Sequence, residues 1–243
     1  DKILTREPLD GDISQLLARC AAIPGQEIKP KTFEDIAGVP LLKRAQLLDI
    51  KDTPVNYVLK PVCIRGCLTQ IHGPSKGGKS AWALYLAVGA AWGEFPRKED
   101  ADSLIECASP RRILFVSWED AGALIARRAA SYSEGLGRGH DIPENLHVLD
   151  APSIALDRPE AADAFEAFIL QCPYDLVILD TLSKAHDVNE DKSTEVKPVM
   201  RRLKQIARHT NACIVYIHHR AKNTEGKAMG ERARGSSAIS AEA

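Results

Sequence analysis

Residues 73–80, "GPSKGGKS", are the stretch whose residue types and spacing carry the most chemistry. In G-x-x-x-x-G-K-S, glycines let successive backbone N–H groups point inward at nucleotide phosphates, and the helix that follows presents its positive end. Gly73, Gly77 and Gly78 supply that turn, Pro74, Ser75 and Lys76 fill it, and Ala81 follows it. Lys79 is expected to reach the β- and γ-phosphates as a point charge, and the Ser80 hydroxyl to coordinate Mg²⁺. A glycine turn with an incidental lysine is the bland alternative. The apolar run before the loop and the helical pattern after it are the context that argues against it.

A magnesium ion bridging two phosphates needs an acid at the end of a neighbouring strand, and "LVILD" supplies Asp180 after four apolar residues. Hydrolysis also needs a carboxylate to orient or deprotonate water. "LFVSWED" ends a predicted strand with Glu119 and Asp120, on the strand next to the glycine loop, where an acid would face the γ-phosphate. Asp120 also reads as a helix N-cap, and the two readings are compatible: Glu119 catalytic, Asp120 capping. The doublet His218-His219 ends another apolar run. A strand-end histidine can hydrogen-bond a γ-phosphate and report nucleotide state. Side chains alternate along a strand, so one of the two must point into the site, and the sequence leaves open which.

These residues need a scaffold, and the pattern from residue 61 onward provides one. Strands are expected at 62–72, 111–120, 146–150, 174–181 and 212–219, with helices at 80–92, about 121–134, 159–171 and a later one carrying Val196, Val199, Met200, Leu203 and Ile206 on one face. Pro198 fits that last helix only in its first turn. Strands that alternate with helices, most of them unbroken apolar runs, mean a parallel sheet covered on both faces. Before residue 61 the signals are sparser. An amphipathic helix is expected at 12–22, a Pro- and Gly-rich connection after it, and a short helix at about 40–48. The expected organisation is a helical segment and linker over 1–60 and a nucleotide-binding domain over 61–243.

The charge balance is uneven along the chain. Between 201 and 234 nine basic residues face Glu225 and Glu231, whereas the remainder carries 23 basic residues against 31 acids. A basic patch on an otherwise acidic protein suits an anionic partner, although a solvated helix face followed by a basic loop gives the same count. The six cysteines are scattered, and Cys63 and Cys67 have no second ligand pair at zinc spacing, which reads as reduced thiols. No run approaches the ~20 apolar residues of a membrane span. The chain opens on Asp1 without a signal-type pattern, so a cytoplasmic chain, whole or a piece of a longer one, is the expectation.

Together, "HGPSKGGKS", "FVSWED", "LVILDTLSKAH" and "IVYIHHRAK" resemble, in order and spacing, the RecA-like P-loop ATPases of the plasmid RepA type, the hexameric replicative helicases and their AAA_25-like relatives. The resemblance covers residues 61 to about 237. It implies an α/β, RecA-like P-loop NTPase with a mainly parallel central sheet flanked by helices, plus a small N-terminal helical appendage. It also implies ATP and Mg²⁺ as cofactors. Gly73, Pro74, Ser75, Lys76, Gly77, Gly78, Lys79, Ser80 and Ala81 would bind nucleotide, Ser80 and Asp180 would hold the metal, and Glu119, Lys79 and the pair His218 and His219 would serve catalysis. A ring is implied as well, in which each nucleotide receives an arginine from the neighbouring subunit. The family continues past the last strand through a DNA-facing loop into further strands, whereas this sequence ends at "RGSSAISAEA". Arg220, Lys222, Lys227, Arg232 and Arg234 are the residues left for contact with DNA or with a neighbour's nucleotide.

The function expected from these readings is an ATP-driven, ring-forming motor, hexameric by resemblance, that moves on single-stranded DNA in replication. Its rivals are a RecA-like switch or clamp in recombination, defence or regulation that does not unwind, and an ATP-dependent DNA-binding module. A small-molecule kinase is disfavoured, because neither a lid-like arginine cluster nor an acceptor pocket can be read.

Overall fold

The computed structural model describes residues 41–96, 104–189 and 192–219, the side chains of Ser193 and His219 excepted. The helix expected at 12–22, the connection after it and the basic stretch Arg220–Arg234 lie outside the described residues. The chain divides into two units, Asp1–Pro54 and Val55–Ala243. In the first, α1 (Arg44–Ile50) forms close to where the short helix is expected. Its start is held by Gln46 Oε1, which accepts the Lys43 N–H at 3.0 Å.

The second unit carries, in order, β1 (Tyr57–Leu59), β2 (Cys63–Ile64), β3 (Leu68–Gly73), α2 (Lys79–Trp92), β4 (Ile113–Ser117), α3 (Gly122–Gly135), β5 (Leu146–Asp150), α4 (Pro159–Gln171), β6 (Leu176–Asp180), a 3₁₀ turn (Leu182–Lys184), α5 (Ser193–Thr210) and β7 (Cys213–His219). Five strands form one parallel sheet in the order β3-β7-β6-β4-β5. Its apolar runs are long because both faces are covered. Alternate residues face opposite layers. Ile113, Phe115, Leu176, Ile178, Cys213, Val215 and Ile217 pack with α2 and α3, while Leu114, Val116, Val177, Leu179, Ile214 and Tyr216 pack with α4 and α5. Among the described residues no helix is long and apolar enough to cross a membrane. Cys63 and Cys213 are buried, Cys107 and Cys172 are half-buried and Cys67 is exposed, all as free thiols.

Two expectations about the elements need correction. The run 62–72 is not one strand: β2 pairs antiparallel with β1, and the chain then turns before β3. Gly66 sits at φ +69° in that turn, a conformation other residues adopt only with strain, so Arg65-Gly66 is a break inside an apolar run. Pro198 lies inside α5 as its sixth residue rather than in the first turn. Its missing N–H removes one helical bond, and the buried Val196, Val199, Met200, Leu203, Ile206 and Ala207 hold the helix against the sheet regardless.

Candidate nucleotide site

Ladder register lines up the carboxyl ends of the strands. Gly73 pairs with His219, while Ser117 pairs with both Asp180 and Asp150. In open parallel sheets ligands bind outside these ends, and every residue singled out from the sequence for catalysis or metal binding falls on this edge or just beyond it. β3 runs into the glycine loop and α2 leaves it. Gly78, at φ +77°, is the N-cap of α2, and a Cβ there would meet nothing within 4 Å. Backbone conformation rather than crowding therefore calls for glycine at this position. α2 has no side-chain cap and no acid in its first turn, so its leading N–H groups are available to an anion.

Lys79 is 7% exposed, and its Nζ donates to the Pro74 carbonyl at 2.8 Å, folding the side chain back along the loop. Burial lowers its pKa, an effect that the charges of Glu119 and Asp180 oppose. Ser80 Oγ donates to Asp180 Oδ1 at 3.1 Å, so the two residues expected to share a metal already touch. Asp180 is fully buried, and its second oxygen, Oδ2, has no hydrogen-bond partner. Burial is the main cause that pushes its pKa up to about 6, against the Ser80 hydrogen bond, with Glu119 and Asp120 adding repulsion and Lys79 relieving part of it. A buried carboxylate with an unpartnered oxygen, next to a hydroxyl, fits a hard divalent cation. Mg²⁺ takes few protein ligands and completes its shell with phosphates and water. Among the described residues there is no cluster of three or more His, Cys, Asp or Glu side chains suited to a metal.

Glu119 reaches this group by a route that sequence adjacency does not reveal. β4 is not beside the strand of the glycine loop in the sheet, since β7 and β6 stand between them. It is beside β6, and the ladder continues past its end, with the Trp118 N–H donating to the Asp180 carbonyl at 2.8 Å. Glu119 is exposed at that tip, next to Thr181, whose Oγ1 lies 3.4 Å from Glu119 Oε1 and 2.9 Å from Ser183 Oγ. Thr181, buried and directly after Asp180, is a neighbour of Glu119 that motif reading passed over. Its position after the strand-end acid was the only sequence signal for it.

Asp120 does not cap α3. The N-cap is Ala121, and Asp150 at the end of β5 accepts the Gly122 N–H at 2.9 Å. Asp120 is ion-paired with Arg128 two turns into the helix, and its N–H is held by Ser117 Oγ. Asp120 is thus engaged by α3, whereas Glu119 stands at the exposed tip on the side of Thr181. At the other expected site, His218 is 4% exposed and stacks on His72, ring centroids 6.0 Å apart. It shares the strand parity of Ile214 and Tyr216, on the α4–α5 side, whereas Asp180 shares the parity of Leu176 and Ile178 on the α2 side. The backbone of His219 pairs with Gly73, at the start of the loop. Arg220, Lys222, Lys227, Arg232 and Arg234 lie outside the described residues.

A family model for an AAA domain, AAA_25, matches residues 38–225. The chain belongs to this family. Among solved structures, the crystal structure of the RadB recombinase is similar to it at 17% sequence identity and a TM-score of 0.46, over 71% of this chain and 72% of that one. The fold is that of a RecA-like P-loop ATPase, with the phosphate loop on an outer strand of the described sheet and β7 set between it and the acid-bearing β6.

Within that family the site divides its work clearly. The glycine loop and the start of α2 would hold phosphate oxygens through backbone N–H groups, and Lys79, now donating to the Pro74 carbonyl, would pair with them. Ser80 and Asp180 would hold Mg²⁺, which when bound supplies charge neutralisation at the phosphates. Glu119, 3.4 Å from Thr181 Oγ1, would be the group to align water or accept its proton.

Proposed function

We propose that the chain hydrolyses ATP and works as an oligomeric, ring-forming motor on single-stranded DNA. The observation that supports this reading is the convergence of a buried phosphate-loop lysine, a contacting Ser80–Asp180 pair with one open carboxylate oxygen, and an exposed acid on the adjoining strand tip. Binding alone would need the first two, and turnover needs the third. Support for the nucleic-acid part comes from the sequence. β7 pairs with the loop strand and leads directly into Arg220, Lys222, Lys227, Arg232 and Arg234, five basic residues against two acids. A nucleotide-dependent shift at the end of β7 would move that segment, which is the coupling a motor needs. The segment has no aromatic residue, so binding is electrostatic and little dependent on base sequence.

The test has two readouts. ATPase activity with and without single-stranded DNA should show stimulation, and DNA affinity should fall with salt at a log-log slope of about −0.7 per phosphate neutralised. Replacing both Lys222 and Lys227 with alanine should flatten that slope by about 1.4 and reduce stimulation while basal hydrolysis persists. Strand displacement on a forked duplex then separates the readings. Stimulated hydrolysis without displacement makes the chain a switch or clamp in recombination, defence or regulation, and no DNA binding at low salt removes the motor reading.

A further inference from the structure

Beside the phosphate loop lies an aromatic cleft that the catalytic residues do not use. Gly78, Ala81, Trp82, Tyr85 and Tyr132 line it, and its volume is about 340 Å³. That is within the range of small-ligand pockets. Two of the lining residues, Gly78 and Ala81, belong to the loop and the first turn of α2 that would hold phosphates, so the cleft adjoins the phosphate site. Trp82, one residue further along the helix, is 47% exposed, which is unusual for tryptophan beside an apolar core. Its ring stacks on Tyr85, centroids 5.2 Å apart and 22° from parallel. Tyr85 is in turn set edge-on against Tyr132 at 5.8 Å and against Phe95 at 5.6 Å. Tyr132 Oη donates to the Ala81 carbonyl at 3.0 Å, which ties α3 to the first turn of α2 and fixes the cleft's wall. The aromatic rings are thus held in place before any ligand arrives.

We infer that this cleft takes the base of the bound nucleoside triphosphate, stacked against Trp82, and that it does so without reading the identity of a purine. The inference rests on the nucleotide-binding reading of the loop and adds the class of ligand it accepts. The lining explains the lack of discrimination. It contains no carboxylate, amide or guanidinium side chain to match the hydrogen-bonding edge of a base, and the Tyr132 hydroxyl already donates to Ala81. Burial raises the pKa of Tyr85, so this phenol stays neutral. A stack is tolerant because every base has a π-face, and purines, with more of it, are held more strongly.

The experiment titrates the protein with Mg²⁺ and ATP, GTP, CTP or inorganic tripolyphosphate. It compares the wild type with Trp82→Ala, Trp82→Phe and Lys79→Ala. ATP and GTP should bind within about threefold of each other and tighter than CTP. Trp82→Ala should weaken ATP and GTP by about 5- to 150-fold, the range for loss of one base–aromatic stack, and leave tripolyphosphate unchanged. Trp82→Phe should restore most of the loss. ATP should quench tryptophan fluorescence in the wild type and quench it far less in Trp82→Phe. Lys79→Ala should weaken ATP and tripolyphosphate alike, which reads the phosphate site separately from the base. The inference is overturned if Trp82→Ala binds ATP as the wild type does, if it loses tripolyphosphate equally, or if ATP is preferred over GTP by more than about tenfold. A wild type that binds neither ATP nor tripolyphosphate instead overturns the nucleotide-binding reading on which the inference rests. If Trp82→Ala changes only the oligomeric mass, the exposed ring belongs to a subunit contact and the base does not lie there.

Discussion

Asp175 and Asp180 stand at the two ends of the same strand, and their surroundings are opposite. Asp175, just before β6, accepts from the Arg65 guanidinium on one oxygen and from the Arg112 N–H at 2.9 Å on the other. Asp180, at the far end, has Ser80 on one oxygen and nothing on the other, and it is completely buried. At the amino-terminal edge of the sheet the acid Asp175 has both oxygens matched within the protein. The carboxyl-terminal edge leaves an acid unmatched for a ligand to complete. A carboxylate buried without a full set of partners destabilises a fold, so its presence beside a phosphate loop is evidence for what the site binds.

Substitutions at the two edges should therefore separate function from stability. The largest effect is expected at Lys79. Lys79→Ala removes a charge-assisted contact to phosphate from a water-poor site, and turnover should fall by at least about 10³-fold with ATP binding lost as well. Phosphate release and an ATP titration on protein with unchanged circular dichroism measure this. Persistent turnover would mean that the active site lies elsewhere.

Next comes Glu119→Gln, which should keep ATP binding and lower single-turnover hydrolysis by about 10²- to 10⁴-fold, since an amide cannot take a proton from water. Asp120→Asn is the control. Its Arg128 ion pair is partly exposed and makes a structural contribution, so hydrolysis should be nearly unchanged. Reversed results would move the catalytic role to Asp120.

Smaller, and opposite in sign at the two edges, are the effects on stability. The Asp180 pKa stands at about 6 in the folded chain against an ordinary 3.8, a difference equivalent to about 3 kcal/mol. Because the folded value is the higher one, this group favours the folded state at low pH. That advantage is lost as pH rises from about 4 through 6. Without nucleotide or divalent cation, Asp180→Asn should therefore match the wild type near pH 4 and exceed its unfolding free energy by up to about 3 kcal/mol at pH 7.5. Urea denaturation at both pH values checks this, and a variant less stable at pH 7.5 would show that Asp180 is satisfied after all. Asp175→Asn should instead lose about 1–3 kcal/mol, with little change in hydrolysis per folded molecule. A hydrolysis defect there would erase the distinction between the edges.

Much of this was legible from residues close together in the chain. The glycine loop is recognisable because phosphate binding by backbone N–H groups is a local requirement, met by the eight residues from Gly73 to Ser80 in sequence. The alternation of apolar runs and helical patterns was sufficient for a parallel sheet with both faces covered, since burial on two sides leaves no room for polar alternation. Arg65-Gly66 was read through as strand because the apolar residues around it suggested continuity, while the positive φ of Gly66 appears only in the folded turn.

Tertiary structure decided the order of the strands, and with it the partners of the acids. Sequence alone determined that a phosphate loop, a strand-end Asp180 and a Glu119 exist at suitable separations. Only the sheet order put Glu119 beside Asp180 and Thr181, assigned the capping of α3 to Asp150 rather than Asp120, and gathered Trp82, Tyr85 and Tyr132 into one cleft. The physical reason is range. Hydrogen bonds within a loop or a helix turn are set by neighbours a few residues away, whereas the burial of Asp180 depends on strands and helices more than sixty residues apart in the chain.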